Sequence, residues 1–277
     1  MGQESIQICK LVAEKPTQLS RSMHNAAFEA RGLAFIYEVL DTSDTALAIE
    51  EMRSQNIRGY SLTIPHKEAA LKLIDLIDSA AEDVGAVNTV INNKEILTGY
   101  NTDVYGIEEA LKEVRPLSEI KRAFVLGAGG AARAAVKVLT TSTKCEVCIT
   151  NRTKERAEAL ASDFNCNALT IEEALKIERP FDLLINSTPI GSHLAEDFSN
   201  NLASVLGNLS EQAVVFDMVT KEKTALLDLA EKQGLKTVSG PRMLLHQAVK
   251  QFELFTGTSP APLQEMEKAL YKELEKS

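Results

Sequence analysis

The chain has 277 residues, about two domains by size, and 44% hydrophobic with 25% charged residues is the composition of a globular protein with a sizeable core. Thirty Lys and Arg against 39 Asp and Glu leave a net charge of −9, which argues against a nucleic-acid partner and against docking on an anionic membrane. No apolar run reaches bilayer length and the first residues lack a signal-peptide charge pattern, so the expected location is cytoplasmic, without membrane attachment.

Ile6 to Val12 reads as a strand, Glu14 to Ser22 as a polar loop, and Met23 to Arg31 as a helix ended by Gly32. Leu33 to Leu40 follows as a strand, Ser43 to Ser54 as a helix and Arg58 to Thr63 as a strand. Pro65 then opens a helix at a position proline favours. Val87 to Asn92 and Ile96 to Tyr100 make a short hairpin, and a helix from Val104 to Val114 leads to Pro116.

The most informative stretch comes next. The apolar run Phe124-Val125-Leu126 flows into Gly127-Ala128-Gly129-Gly130-Ala131-Ala132, and an alanine-rich helix continues through Leu139. A dinucleotide-binding turn needs this order. Gly127 permits the tight turn, Gly129 lets backbone N–H groups approach a pyrophosphate, and small Ala132 lets the helix pack on its strand. The helix N-terminus supplies unpaired N–H groups and partial positive charge to the anion.

A second strand, Glu146 to Thr150, ends at Asn151-Arg152-Thr153, with Arg156 one turn later. Sites selective for NAD carry an acid there, whereas arginine accommodates the 2′-phosphate of NADP. Arg152 and Arg156 without an acid at the strand end point to NADP.

Strands near Ala168–Thr170, Leu183–Asn186, Val214–Asp217 and Thr237–Val238 follow, and then helices from Pro241 to Phe255 and Pro262 to Glu275. This alternation predicts an α/β fold with largely parallel sheets, in two lobes with a ligand cleft between them. The substrate domain is expected at 1–104 and 240–277, so that the C-terminal helices return to the first lobe. The nucleotide domain is expected at 105–239. Cys145 and Cys148 share one strand with side chains on opposite faces, so buried thiols are expected rather than a redox pair. His24, His66, His193 and His246 form no metal-ligand spacing.

Four clusters carry polar side chains at strand ends and helix starts: Thr63-Ile64-Pro65-His66-Lys67, Gly85-Ala86-Val87-Asn88-Thr89, Gly99 to Gly106 around Asp103, and Gly240 to Gln247. Taken singly, Lys67 reads as a solvated lysine, Asp103 as a helix cap, Asn88 as a turn residue and Gln247 as a surface amide. In this order and spacing, with His24-Asn25, "VLGAGGAARA", "NRT", "INSTPIG" and "FDMV", they closely resemble the shikimate dehydrogenase family over nearly the whole chain.

The resemblance implies a Rossmann-type NADP domain beside a substrate domain, and reversible oxidation of shikimate or a close analogue to the 3-dehydro acid by a monomer or homodimer. It implies Lys67 as proton acceptor and donor with Asp103 beside it, and Thr63, Asn88 and Gln247 on the ring hydroxyls. Gly127, Ala128, Gly129, Gly130, Ala131, Asn151, Arg152, Thr153 and Arg156 would hold the cofactor, and Ser187-Thr188-Pro189, Met218 and Gly240 would line it.

The chain departs from the family's pattern at the end that grips the substrate carboxylate. Where the family has a serine pair followed by proline, this chain has Gln18, Ser20 and Arg21, and Ser22 adds a shifted hydroxyl. Thr220 stands where a tyrosine is usual, Ser61 where an asparagine is usual, and Ser192 where a methionine is usual. These changes resemble the divergent shikimate dehydrogenase-like branch. Gln18, Ser20 and Thr220 are still assigned to the substrate, and Arg21 is expected to take over its carboxylate. A quinate/shikimate dehydrogenase or a ligand-binding protein without turnover is the alternative.

Overall fold

The structure, a computed structural model, describes residues 5–141, 144–190 and 205–276. Ser192 and His193 lie outside them. The chain divides into two compact units, Met1–Gly106 with Leu245–Ser277, and Ile107–Leu244.

The first unit carries a mixed six-stranded sheet. Its strands are β1 (Gln7–Ala13), β2 (Phe35–Asp41), β3 (Gly59–Leu62), β4 (Leu76–Ile77), β5 (Thr89–Asn93) and β6 (Ile96–Tyr100), in the order β2-β1-β3-β5-β6-β4. β1 pairs in parallel with β2 and β3, while β3–β5 and β5–β6 are antiparallel. The β5–β6 hairpin closes through Lys94 and Glu95, both at positive φ (54° and 73°), the two-residue turn whose twist matches that of the flanking strands. The Asn92 carboxamide oxygen accepts from Glu95 N–H at 2.8 Å and supports that turn.

The second unit is wholly parallel, which puts apolar residues on both faces of its central strands. Its strands are β7 (Arg122–Leu126), β8 (Glu146–Thr150), β9 (Asn167–Ala168), β10 (Phe181–Asn186), β11 (Leu209–Asp217) and β12 (Lys236–Ser239). They run β9-β8-β7-β10-β11-β12, which counted within the unit is 3-2-1-4-5-6, the doubly wound order with its switch point between β7 and β10. Phe124 and Phe181 stack at 5.2 Å beneath that point, inside a core shared with Leu184, Val215 and Leu226.

Three local expectations are corrected. The first helix runs Leu19–Ala30, four residues earlier than Met23, so Ser20, Arg21 and Ser22 are helical rather than in a loop. Its buried stripe is Leu19, Ser20, Met23, His24, Ala27 and Phe28. Two of these are polar, which hides the period from a hydropathy reading. The third strand of the second unit stops at Ala168, because Thr170 instead caps a helix, Ile171–Leu175, in a reciprocal bond pair with Glu173. The third concerns Cys145, which lies outside β8, whereas the helix expected at Pro65 is present as one turn, His66–Ala69, tightening into a 3₁₀ turn at Ala70–Lys72. Cys148 is buried within β8, while Cys145 precedes it, half-buried. No helix among the described residues is long and apolar enough to cross a membrane.

Candidate active site

In the first unit the hairpin register decides what meets what. Thr89 pairs with Tyr100, and Asn88 N–H donates to Tyr100 O at 3.0 Å, so Asn88 lies opposite the start of the helix Asp103–Lys112. Val87 N–H donates to Lys67 O at 2.8 Å and ties the Lys67 turn to the same place. The His66 ring fixes that turn from behind, 2.7 Å from Thr45 Oγ1 through Nδ1 and 2.9 Å from Thr42 O through Nε2.

Lys67 Nζ thereby donates to Asp103 Oδ2 at 2.6 Å, with side-chain exposures of 16% and 4%. Asn88 Nδ2 donates to Asp103 Oδ1 at 2.8 Å and lies 3.0 Å from Thr102 Oγ1 and 3.3 Å from Gln247 Oε1. The carboxylate is therefore held at both oxygens, one by an ammonium and one by an amide. Gln247 is buried on the helix Gly240–Thr256, not a surface amide. Lys67, Asp103, Asn88 and Gln247, far apart in sequence, form one constellation.

The remaining substrate-site expectations sit outside it. Thr63 is half-buried and its hydroxyl makes no hydrogen bond among the described residues. Ser20 is buried on the first helix. Gln18, exposed at the cap position of that helix, accepts through Oε1 from Arg21 Nη1 at 3.2 Å. Ser22 donates to Glu273 Oε2 at 3.0 Å. Thr220 belongs to the second unit, exposed just beyond β11.

A second layer of buried polar groups escapes sequence reasoning. Gln251 Nε2 is 3.0 Å from Thr89 Oγ1, Ser61 Oγ donates to Gln251 Oε1 at 2.9 Å, and Tyr37 OH donates to Ser61 Oγ at 2.7 Å. His24 stacks on Tyr37 at 4.4 Å and reaches Gln251 Oε1 through Nε2 at 3.4 Å. Burial pulls the His24 pKa down to about 3 against the opposing Gln251 bond, so the ring is neutral. The available signal is spacing: Gln251 is one helical turn beyond Gln247 and shares its face.

In the second unit, Gly127 follows β7 with φ +113°, a conformation rare for L side chains, and an added Cβ would collide with Ser187 Oγ. Gly127 N–H donates to Thr150 O at 2.8 Å, and the Ser187 hydroxyl and N–H both donate to Leu126 O, at 2.6 and 2.9 Å. The space where Gly129 would carry a Cβ is open. The helix Gly130–Thr141 begins there with no acidic residue in its first turn. Ala128 and Ala131 flank this turn.

At the end of β8, Asn151 Nδ2 donates to Thr153 O at 3.0 Å. Thr153 caps the helix Lys154–Asp163 in extended conformation without a side-chain cap bond. Arg152 and Arg156 are exposed and make no ion pair among the described residues. Thr188 Oγ1 donates to Asn186 Oδ1 at 2.6 Å, Asn186 Nδ2 to Asp217 Oδ1 at 2.9 Å, and Thr224 Oγ1 to Asp217 Oδ2 at 2.6 Å. Desolvation raises the Asp217 pKa against these bonds. Met218 N–H donates to Asn186 O at 2.9 Å, and a Cβ on Gly240 would run into the Val219 carbonyl.

A glycine cradle, an acid-free helix start and two guanidiniums without an ion-pair partner among the described residues fit a dinucleotide with an extra phosphate. A recess of about 280 Å³ between Glu113, Leu227, Glu231 and Arg242 contains none of these residues. No group of His, Cys, Asp or Glu among the described residues can hold a metal ion.

Comparison with known proteins covers both units. Residues 14–90 match the shikimate dehydrogenase substrate binding domain, 108–225 shikimate / quinate 5-dehydrogenase, and 240–271 the shikimate 5'-dehydrogenase C-terminal domain. The shikimate dehydrogenase (NADP(+)) of Methanothermobacter thermautotrophicus is 39% identical over 265 residues, 92% of each chain. That of Bacillus licheniformis is 39% identical over 249 residues, 87% of this chain and 88% of its own. A crystal structure of shikimate 5-dehydrogenase from Thermus thermophilus in complex with NADP(H) and shikimate superposes with a TM-score of 0.84 at 35% identity, covering 97% of this chain and 100% of that one.

Proposed function

The chain belongs to the shikimate dehydrogenase family, and we propose that it catalyses the reversible, NADP-dependent oxidation of shikimate to 3-dehydroshikimate. The single observation that carries this reading is Lys67 Nζ held at 2.6 Å from Asp103 beside the amide of Asn88. A dehydrogenase must remove a hydroxyl proton as the carbon loses its hydride, and a binding module has little need for a proton-transfer pair.

NADP, when bound, supplies the hydride acceptor. Gly127 to Ala131 would hold its pyrophosphate through backbone N–H groups, and Asn151, Arg152, Thr153 and Arg156 its 2′-phosphate and ribose. Thr188, Met218 and Gly240 would line it. In oxidation the hydroxyl O–H bond breaks towards the Lys67 amine and the carbinol C–O bond becomes C=O. In reduction the Lys67 ammonium returns that proton to the carbonyl oxygen. Asp103 anchors the Lys67 nitrogen in both directions, as the amine that takes the proton and as the ammonium that returns it, and Thr63, Asn88 and Gln247 orient the ring hydroxyls. The substrate domain is assigned to 1–104 and 240–277 and the cofactor domain to 105–239.

Carboxylate recognition is altered, with Ser20 kept at that end, Gln18 and Thr220 in place of the usual serine and tyrosine, and the Arg21 guanidinium added. The Arg21–Gln18 contact supports this, because it holds the guanidinium over the first turn of the helix that bears Ser20. Replacing Arg21 with alanine should raise the shikimate KM, and an unchanged KM removes the idea. The whole reading is tested by cofactor reduction with shikimate, quinate and aminoshikimate, using NADP and NAD in parallel. Turnover of shikimate with NADP, lost in Lys67→Ala, is the expected result. Equal binding by wild type and Lys67→Ala without turnover in either would replace the reading with that of a ligand-binding protein.

A further inference from the structure

Of the residues assigned to shikimate, the Gln251 carboxamide engages Asn88 only through its backbone carbonyl, yet Gln251 is 1% exposed and its carboxamide is fully engaged. Its orientation is fixed by what faces it. Nε2 lies 3.0 Å from Thr89 Oγ1 and 3.5 Å from the backbone carbonyl of Asn88, while Oε1 receives Ser61 Oγ at 2.9 Å. The reverse orientation would set the carboxamide oxygen against the Asn88 carbonyl, two acceptors in contact. The neutral His24 ring then donates its Nε2–H to the same oxygen, which leaves Nδ1 as the buried atom without a partner.

The consequence runs outward along the chain of donors. Thr89 Oγ1 accepts from Gln251 and gives its one proton to Asn88 Oδ1 at 2.9 Å, the nearer of its two possible acceptors. That oxygen also receives Thr102 N–H at 2.8 Å, an atom that can only donate. Asn88 must then present its NH₂ to Asp103 Oδ1, and Asp103 its other oxygen to Lys67. From Tyr37 to Asp103, every proton points towards the carboxylate that anchors the lysine, as a buried network of low local dielectric favours.

We propose that Gln251 is a positioning residue for this reaction: by engaging both Thr89 and the Asn88 carbonyl it holds the Asn88 amide, and through it Asp103 and Lys67, in the orientation that proton transfer needs. The proposal rests on the dehydrogenase reading above and extends it to a residue away from the substrate. Without the Gln251 amide, the Thr89 hydroxyl can turn to Thr102 Oγ1, 3.4 Å away, and Asn88 Oδ1 then loses the shorter of its two hydroxyl donors and keeps Thr102 N–H and the 3.2 Å Thr102 Oγ1.

The test is Gln251→Met, which keeps length and loses both polar atoms, with Thr89→Val and the double variant. With shikimate and NADP, Gln251→Met should lower kcat by between about tenfold and a hundredfold while the NADP KM stays constant. The double variant should be no slower than Gln251→Met, since both break one donor chain. In ¹⁵N spectra the Asn88 side-chain amide should lose its slow proton exchange in Gln251→Met and keep it in Gln251→Glu with the carboxyl protonated. Unchanged kcat, losses that multiply in the double variant, or a kcat deficit that merely tracks the unfolded fraction would each overturn the proposal. If the wild type turns over no substrate, the dehydrogenase reading fails instead, and the Asn88 amide signal still decides whether Gln251 holds it.

Discussion

The two units prepare for their ligands in opposite ways. In the first, Lys67, Asp103, Asn88 and Gln251 are tied together by side-chain hydrogen bonds before anything binds. In the second, the groups proposed for the cofactor are backbone N–H donors around Gly127 and two exposed guanidiniums, while Thr188 donates to Asn186 and Asn186 to Asp217 at the ends of β10 and β11. Proton transfer depends on sub-ångström placement, so its groups are locked. A phosphate is recognised by charge and a fork of donors, which tolerates exposed side chains.

The sharpest break in that comparison is Lys67→Ala. Loss of the proton-transferring group should lower kcat by about 10²–10⁴-fold, with folding retained, as steady-state assays and thermal melts will show. Arg152→Gln acts on the other unit and should behave differently. Losing charge-assisted bonds of about 1.5–3 kcal/mol should raise the NADP KM by about ten- to a hundredfold with little change in kcat, and the NAD KM should hardly move. If Arg152→Gln lowered kcat as Lys67→Ala does, the division between the bonded and the exposed site would be lost.

A pH series separates the units as well. The folded-state pKa of His24 is lowered from 6.5 to about 3, so between those values the unfolded chain binds the extra proton. The stability that follows from a neutral His24 is complete above 6.5 and is lost as pH falls towards 3, at most about 1.4 kcal/mol per pH unit. Its ring neighbours Phe28, Tyr37 and Phe255 carry no charge in this range, so His24→Phe should flatten the denaturation midpoint against pH by one proton's worth. The smallest effect is expected from Thr220→Tyr. Restoring one phenolic hydroxyl towards a carboxylate should lower the shikimate KM by several-fold, about 1 kcal/mol, and leave the NADP KM unchanged.

Legibility in the sequence follows the range of the forces involved. The Gly127 turn and the strand–helix alternation can be read because each is a local steric or periodic requirement, and the structure places β7, the turn and the Gly130 helix in that order. The first helix reads four residues too short because Ser20 and His24 face inward, which hydropathy treats as outward. Lys67 and Asp103 can be named from motif order alone, but not the 2.6 Å bond between them. Spacing alone puts Gln251 on the face of Gln247, but its partners are out of reach of that signal, since Ser61 and Thr89 are 190 and 162 residues away.

The sequence by itself determined the family and the strand–glycine–helix order around Gly127, because motif order and backbone sterics are written along the chain. Only the tertiary structure decided which polar groups are buried together and which way each proton points. Hydrogen-bond satisfaction is a property of neighbours in space, and a lone Gln, Ser or Thr carries no mark of the partner it will meet.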